Sequence, residues 1–119
     1  MTSPEAGEAA DRWREELAAW AVPPEILAAA PQRPFVFPPE MFAAPAPGTH
    51  PPTRSTAIAA DAIRDGGVVL DVGCGGGAAG FALAPPATEL IGTDRQQDMT
   101  ELFANTAAER GIPCQVVTG

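Results

Sequence analysis

Glycine and aspartate are concentrated in one run of the sequence, VVLDVGCGGG, which extends from Val68 to Gly77. Its apolar beginning predicts a buried strand, and the glycines predict a tight turn into a helix. Glycine at such a turn lets the backbone approach a ligand closely, and Gly73 and Gly75 share this role with Gly77. Because ligands usually bind where a parallel strand passes into a helix, we interpret the run as a ligand-binding turn.

The glycine spacing alone leaves two cofactors open. Gly75, Gly77 and Gly80 satisfy the G-x-G-x-x-G pattern of NAD sites. Asp71, however, precedes the first glycine by two residues, where a turn that receives an anionic pyrophosphate usually has a neutral residue. A carboxylate at this place suits a ligand that carries positive charge.

A second carboxylate, Asp94, ends the segment LIGTD, 23 positions after Asp71. At the tip of the next parallel strand, it can accept hydrogen bonds from both hydroxyls of a ribose. NAD and S-adenosylmethionine share this ribose, so Asp94 favours an adenosine ligand without choosing between them. An ordinary capping aspartate is the alternative.

The elements that position these residues alternate from Val68 onward between strands and helices, which predicts a parallel α/β sheet. The predicted strands are 68–72, 89–93 and 114–118, and the predicted helices run from the glycine turn to about Ala84 and over 97–110. Before the first strand, Thr53 or Ser55 caps a helix that extends to about Arg64, with Ile58 and Ala62 facing inward.

The N-terminal part is predicted to be helical and then rich in proline. Residues 1–10 are expected to form a flexible tail, and an amphipathic helix runs from about Ala9 to Ala21. A short helix begins at Pro24 and ends before Pro31, and PPEMFAA forms one or two helical turns. Five aromatic residues of this part are expected to pack against the core, or alternatively to form a lid: Trp13, Trp20, Phe35, Phe37 and Phe42.

Length and charge restrict the function. The 119 residues suffice for one domain, and the net charge of −8 weighs against a nucleic-acid partner, which favours a small-molecule one. Cys74 and Cys114 fit neither a zinc site nor a disulfide framework. The polar N-terminus does not resemble a signal peptide, and no run of residues predicts a membrane span, so a cytoplasmic location is expected.

Together, VVLDVGCGGG and LIGTDRQQDM resemble the class I S-adenosylmethionine-dependent methyltransferases, from about Val68 to Gly119. The resemblance implies a Rossmann-like parallel sheet, here incomplete with about three strands and preceded by N-terminal helices. It divides the chain into the tail, the segment 11–52 and a partial cofactor-binding domain, 53–119. The cofactor-binding residues that it implies are Asp71, Gly73, Gly75, Gly77, Asp94 and Met99.

The resemblance also implies roles. The glycines cradle the methionine part of S-adenosylmethionine, Asp71 orients the turn and the cofactor's amino group, Asp94 binds the ribose and Met99 packs beside the adenine. Gln96 stands where many relatives have a serine that caps the next helix. Cys74 is expected to be a passive small residue rather than a nucleophile. His50 is expected to be a solvated loop residue, with a substrate-side acid or base as the alternative, and Arg54 a surface residue, with contact to the cofactor carboxylate as the alternative.

Methyl transfer requires the protein mainly to align donor and acceptor and to exclude water, so no catalytic dyad is predicted. In the resembling family, the acceptor-binding and catalytic residues follow the third strand, and we therefore expect this chain to be an N-terminal fragment. Its first strand is expected to self-associate through its unpaired edge. The alternatives are a fragment of an NAD-dependent oxidoreductase and a non-catalytic cofactor-binding or interaction module.

Overall fold

The computed structural model describes residues 4–31 and 37–119. The chain divides into two compact units, Met1–Val36 and Phe37–Gly119. The second unit contains the glycine turn and also the proline-rich residues 37–52, which the sequence analysis grouped with the N-terminal helices.

The first unit consists of two helices, α1 (Pro4–Ala19) and α2 (Pro24–Ala29). The prediction of α2 is confirmed, but the predicted start of α1 was wrong: residues 4–10, assigned to a flexible tail, are helical. Proline favours the first helical position because its ring fixes φ at a helical value, which explains the early start at Pro4. Within the described residues, no helix is long and apolar enough to cross a membrane.

Two tryptophans of the first unit are exposed, one within α1 and one directly after it. Trp13 exposes 61% of its surface and Trp20 87%. The expectation that these two residues pack against the core stays a prediction, because they belong to the first unit and the core to the second. Phe35 lies outside the described residues.

The second unit follows the predicted order of elements. A short 3₁₀ helix (Pro39–Phe42) and helix α3 (Arg54–Ala62) precede β1 (Val68–Val72). Then come α4 (Ala78–Phe81), β2 (Glu89–Asp94), α5 (Gln97–Arg110) and β3 (Cys114–Thr118). Only α4 differs clearly from its prediction, since it ends at Phe81 rather than at about Ala84, before the two prolines at 85 and 86 that cannot continue a helix.

The inward face of α3 differs from the prediction. Thr53 caps the helix by accepting a hydrogen bond from the Thr56 backbone N–H at 3.2 Å, as expected. Ile58, however, is 63% exposed, and Ala62 is exposed too. Ile63 packs against the core instead, and five helical residues correspond to about 140° of rotation, which turns Ile58 away from the core.

The three strands form one parallel sheet in the order β1-β2-β3, which confirms the predicted α/β class. Asp71 pairs with Gly92 and Val72 with Thr93, so the carboxyl ends of β1 and β2 lie side by side. Among the described residues, β1 pairs only with β2. Alternate side chains of β1 are exposed on one face of the sheet: Val68, Leu70 and Val72.

The core lies on the other face of the sheet, beneath α4 and α5. Leu90 of β2 and Phe103 of α5 are fully buried. The Phe103 ring packs on the Phe81 ring with 4.8 Å between centroids. The remaining buried members of this cluster are Cys74, Ala87 and Ala107.

Because Phe103 is the largest fully buried side chain among the described residues, Phe103→Leu is expected to lower the free energy of unfolding by about 1–3 kcal/mol. Ile58→Ala, at an exposed site, is expected to change it by less than about 0.5 kcal/mol. Urea denaturation followed by circular dichroism measures both. Equal losses would contradict the assignment of the core.

Candidate functional site

The candidate site lies at the carboxyl ends of β1 and β2, where the glycine turn, residues 73–77, connects β1 to α4. The turn is fastened to the end of β2, because the Cys74 backbone N–H donates to the Thr93 carbonyl at 2.8 Å. It is closed by the Gly77 N–H, which donates to the Cys74 carbonyl at 2.9 Å.

Asp94 is the second connection between β2 and the turn. Its Oδ2 accepts a hydrogen bond from the Gly75 backbone N–H at 3.0 Å, and its Oδ1 accepts one from the Gln96 N–H at 2.9 Å. The structure therefore brings Asp94 and the turn together, as the sequence predicts. Because a carboxylate has about four acceptor positions, these two bonds leave room for donors of a ligand.

Asp71 lies beneath the start of α4. Its Oδ2 accepts a hydrogen bond from the Gly80 backbone N–H at 3.1 Å. A Cβ atom at position 80 would lie 2.9 Å from this oxygen, so glycine is required there for the close approach. In the sequence, Gly80 stands out only as part of the NAD pattern, which does not predict this role.

Burial raises the pKa of Asp71 above its ordinary value, although the Gly80 hydrogen bond lowers it. The negative charge of Asp94 raises the pKa further, so the two carboxylates interact through space. The pair forms a region of negative potential beside the turn, and a positively charged ligand group would relieve the repulsion.

The turn requires backbone conformations that favour glycine. Gly73, Gly75 and Gly77 all have positive φ, with values of 69°, 52° and 95°. At Gly77, a Cβ atom would also lie 2.3 Å from the Phe81 ring. Gly77, which the sequence assigns to the cofactor, is therefore also required by a contact within the protein.

Met99, predicted to pack beside an adenine, is only 3% exposed and lies in the first turn of α5. An adenine could reach little of its surface in this conformation, so its assignment stays a prediction. Gln96 precedes α5 and makes no side-chain capping hydrogen bond, in agreement with the missing serine. The Asp98 carboxylate instead accepts from the Met99 N–H at 3.1 Å.

Cys74 is buried, and its thiol points toward Gly92, where a Cβ atom would lie 3.0 Å from Sγ. Burial raises the pKa of this thiol to about 11, and the charges of Asp71 and Asp94 add to the increase. Because the thiolate is the nucleophilic form, these surroundings oppose nucleophilic chemistry and support the passive role that the sequence predicts.

The proline-rich segment contacts the glycine turn directly, which the sequence analysis did not predict. Ala43 forms isolated β-bridges with Gly76 and Gly77. The Phe42 side chain lies over Gly75, where a Cβ atom would be 3.2 Å from the Phe42 Cβ. Phe37 packs edge-on against Phe42 with 5.7 Å between ring centroids. The aromatic spacing was the only sequence signal for this contact.

His50 and Arg54 are exposed in the loop before α3 and at the start of that helix, as expected for solvated residues. His50 also lines a cavity of about 1100 Å³ between the proline-rich segment and helices α4 and α5. Neither Asp71, Asp94 nor residues 73–77 line this cavity, so it is separate from the candidate site. In the described part of the chain, no cluster of side chains is suited to holding a metal ion.

Residues 69–119 match the family described as methyltransferase domain. The YcgJ protein from Bacillus subtilis, whose crystal structure is known, is similar over 54% of this chain and 30% of its own, with 29% identity and a TM-score of 0.44. No curated protein matches the chain.

As the pH rises from 4 to 7, the free energy of unfolding of the Asp71→Asn variant is expected to increase relative to that of the original protein. The pKa of Asp71 is raised on folding, so ionisation of Asp71 destabilises the folded state, and asparagine avoids this while still accepting from Gly80. Urea denaturation of both proteins at each pH measures the difference. If the original protein gained relative to Asp71→Asn over this range, the raised pKa would be contradicted.

Proposed function

We propose that the second unit is the S-adenosylmethionine-binding part of a methyltransferase, and that the glycine turn and the two carboxylates hold the cofactor. The observation that carries this proposal is the placement of two carboxylates at one glycine turn, where Asp94 accepts from the Gly75 N–H and Asp71 from the Gly80 N–H. S-adenosylmethionine carries a sulfonium and an ammonium group, so its charge complements this pair.

NAD fits the same turn less well. A pyrophosphate usually binds at a helix N-terminus, where free backbone N–H groups and the helix dipole attract negative charge. Here α4 has only four residues, and its Gly80 N–H already donates to the Asp71 carboxylate. The place that would receive the pyrophosphate is therefore beside a negative charge.

The residues present fit the proposed cofactor. Asp94 accepts from Gly75 and Gln96 and retains acceptor positions for the ribose hydroxyls, while Asp71 supplies negative charge near the turn. When bound, the cofactor supplies an electrophilic methyl group on sulfur. The residues of this chain bind and orient it, and the buried thiol of Cys74 takes no part.

We propose a small molecule as the methyl acceptor, because the net charge of −8 disfavours nucleic acid. A cytoplasmic location stays a prediction. The chain spans 30% of the length of the YcgJ chain to which it is similar, so transfer to an acceptor is proposed for the whole protein to which these residues correspond.

Calorimetric titration with S-adenosylhomocysteine and with NAD tests the cofactor. We expect heat with S-adenosylhomocysteine only, and we expect Asp94→Ala to weaken binding by at least about tenfold, or about 1.4 kcal/mol. The substitution removes the proposed ribose acceptor and also the acceptor of the Gly75 N–H.

Asp61→Ala provides the matched control, because Asp61 is an exposed aspartate of α3 that forms a 3.7 Å ion pair with Arg64. It is expected to bind as the original protein does. Heat with NAD alone would support an oxidoreductase fragment instead, and binding of neither ligand would reject the proposed cofactor site.

We also propose that isolated chains associate through β1. Within the described residues, one edge of this strand is unpaired, and Val68, Leu70 and Val72 expose an apolar face beside it. In an antiparallel pair centred on Leu70, Val68 would lie opposite Val72 of the second copy, so no like charges would meet on that face.

Sedimentation velocity over a range of concentrations is expected to reveal association of the original chain. Leu70→Lys is expected to reduce it, because a charge on an edge strand opposes pairing. Ile26→Lys, which changes an exposed apolar residue of α2, is the control and should leave association unchanged. A chain that is monomeric at every concentration would contradict this proposal.

A further inference from the structure

Gly76 differs from the other glycines of the turn. Gly73, Gly75 and Gly77 have positive φ, whereas Gly76 does not, so its backbone conformation does not demand glycine. A Cβ atom at position 76 would nevertheless lie 2.4 Å from the Phe42 carbonyl oxygen and 2.9 Å from the Ala43 Cα. Glycine is needed there because another stretch of backbone lies against it.

That backbone belongs to residues 37–53, which we call the strap. The strap contacts the turn through the two β-bridges of Ala43 and through the Phe42 side chain over Gly75. Gly76 is buried, and its contact with the strap is one of backbone against backbone. A small displacement of the strap would therefore shift the backbone of the turn directly.

Arg110, the last residue of α5, holds the strap immediately after this contact. Its Nη2 donates to the Ala44 carbonyl at 3.3 Å and to the Pro45 carbonyl at 2.8 Å. Its guanidinium carbon also lies 5.2 Å from the centroid of the Phe81 ring. One side chain thus joins the strap to the helix that follows the turn.

Phe81 completes the arrangement, because its ring lies against Gly77 on the side of the core. The turn is held between Phe81 and the strap, and Arg110 contacts both. A lysine could not reproduce this geometry, since a planar guanidinium can stack on a ring while it donates to neighbouring acceptors.

We propose that Arg110 is a positioning residue of the cofactor site, which acts through the strap to keep the glycine turn in its ligand-binding conformation. Gly76 is the point at which the strap contacts the turn. The part of this inference that concerns cofactor affinity rests on the function proposed above. The part that concerns the conformation of the turn does not.

Two single variants and the double variant test whether Arg110 and Gly76 act on the turn through the strap. Arg110→Ala releases the strap at its anchor, and Gly76→Ala displaces it at the turn without requiring a positive φ. Each is expected to weaken S-adenosylhomocysteine binding by about tenfold, or about 1.4 kcal/mol. Both substitutions act through the strap. The double variant is therefore expected to bind S-adenosylhomocysteine no more than about twofold more weakly than the single variant of lower affinity.

Arg110→Lys and Arg64→Ala are the matched controls. Arg110→Lys is expected to retain part of the affinity, since one ammonium can still donate to a strap carbonyl. Arg64 is an exposed arginine whose one ion pair among the described residues is with Asp61, so Arg64→Ala should leave affinity unchanged. Unchanged affinity in Arg110→Ala, or fully additive losses in the double variant, would overturn the proposal.

Hydrogen exchange of the ligand-free proteins gives a second measurement, read by mass spectrometry on the peptide that contains residues 73–77. Exchange is expected to be faster in Arg110→Ala and Gly76→Ala while peptides from α5 remain protected as in the original protein. If the original protein does not bind S-adenosylhomocysteine, the proposed function fails, and this exchange still decides whether the strap holds the turn. Unchanged exchange in the turn, or faster exchange throughout α5, would contradict the positioning role.

Discussion

The site depends on the attachment of the glycine turn to the end of β2. Two hydrogen bonds make this attachment, from Cys74 to the Thr93 carbonyl and from Gly75 to the Asp94 carboxylate. A turn with several positive φ values is costly to order, because glycine loses much conformational freedom on folding. The parallel pairing of β1 and β2 brings the partners of these bonds together, so the conformation of the turn depends on the pairing of the two strands.

The same attachment places two negative charges near each other. Asp71 is half-buried, and its raised pKa reflects mainly its burial and also the charge of Asp94. The fold tolerates this cost because each carboxylate accepts backbone hydrogen bonds, Asp71 from Gly80 and Asp94 from Gly75 and Gln96. For the proposed cofactor, the burial and the repulsion that raise the pKa of Asp71 would also favour a positively charged group beside it.

Packing supports the turn from two sides. Phe81 and Phe103 stack at 4.8 Å beneath it, and the Phe81 ring leaves no room for a side chain at Gly77. On the other side, the strap lies against Gly76 and is held by Arg110, 34 positions further along the chain. Residues remote from the motif thus determine its shape, which is why the glycines have structural requirements beyond ligand binding.

The sequence by itself determined the strand positions, the bounds of α5, the glycine turn and the place of Asp94 at the end of β2, because periodicity, turn residues and parallel pairing act over short distances or follow simple rules. Only the tertiary structure decided that Ile58 faces outward and that Gly76 and Arg110 support the turn through the strap. These features arise from contacts between distant segments, and such contacts depend on how elements rotate and pack rather than on local sequence preference.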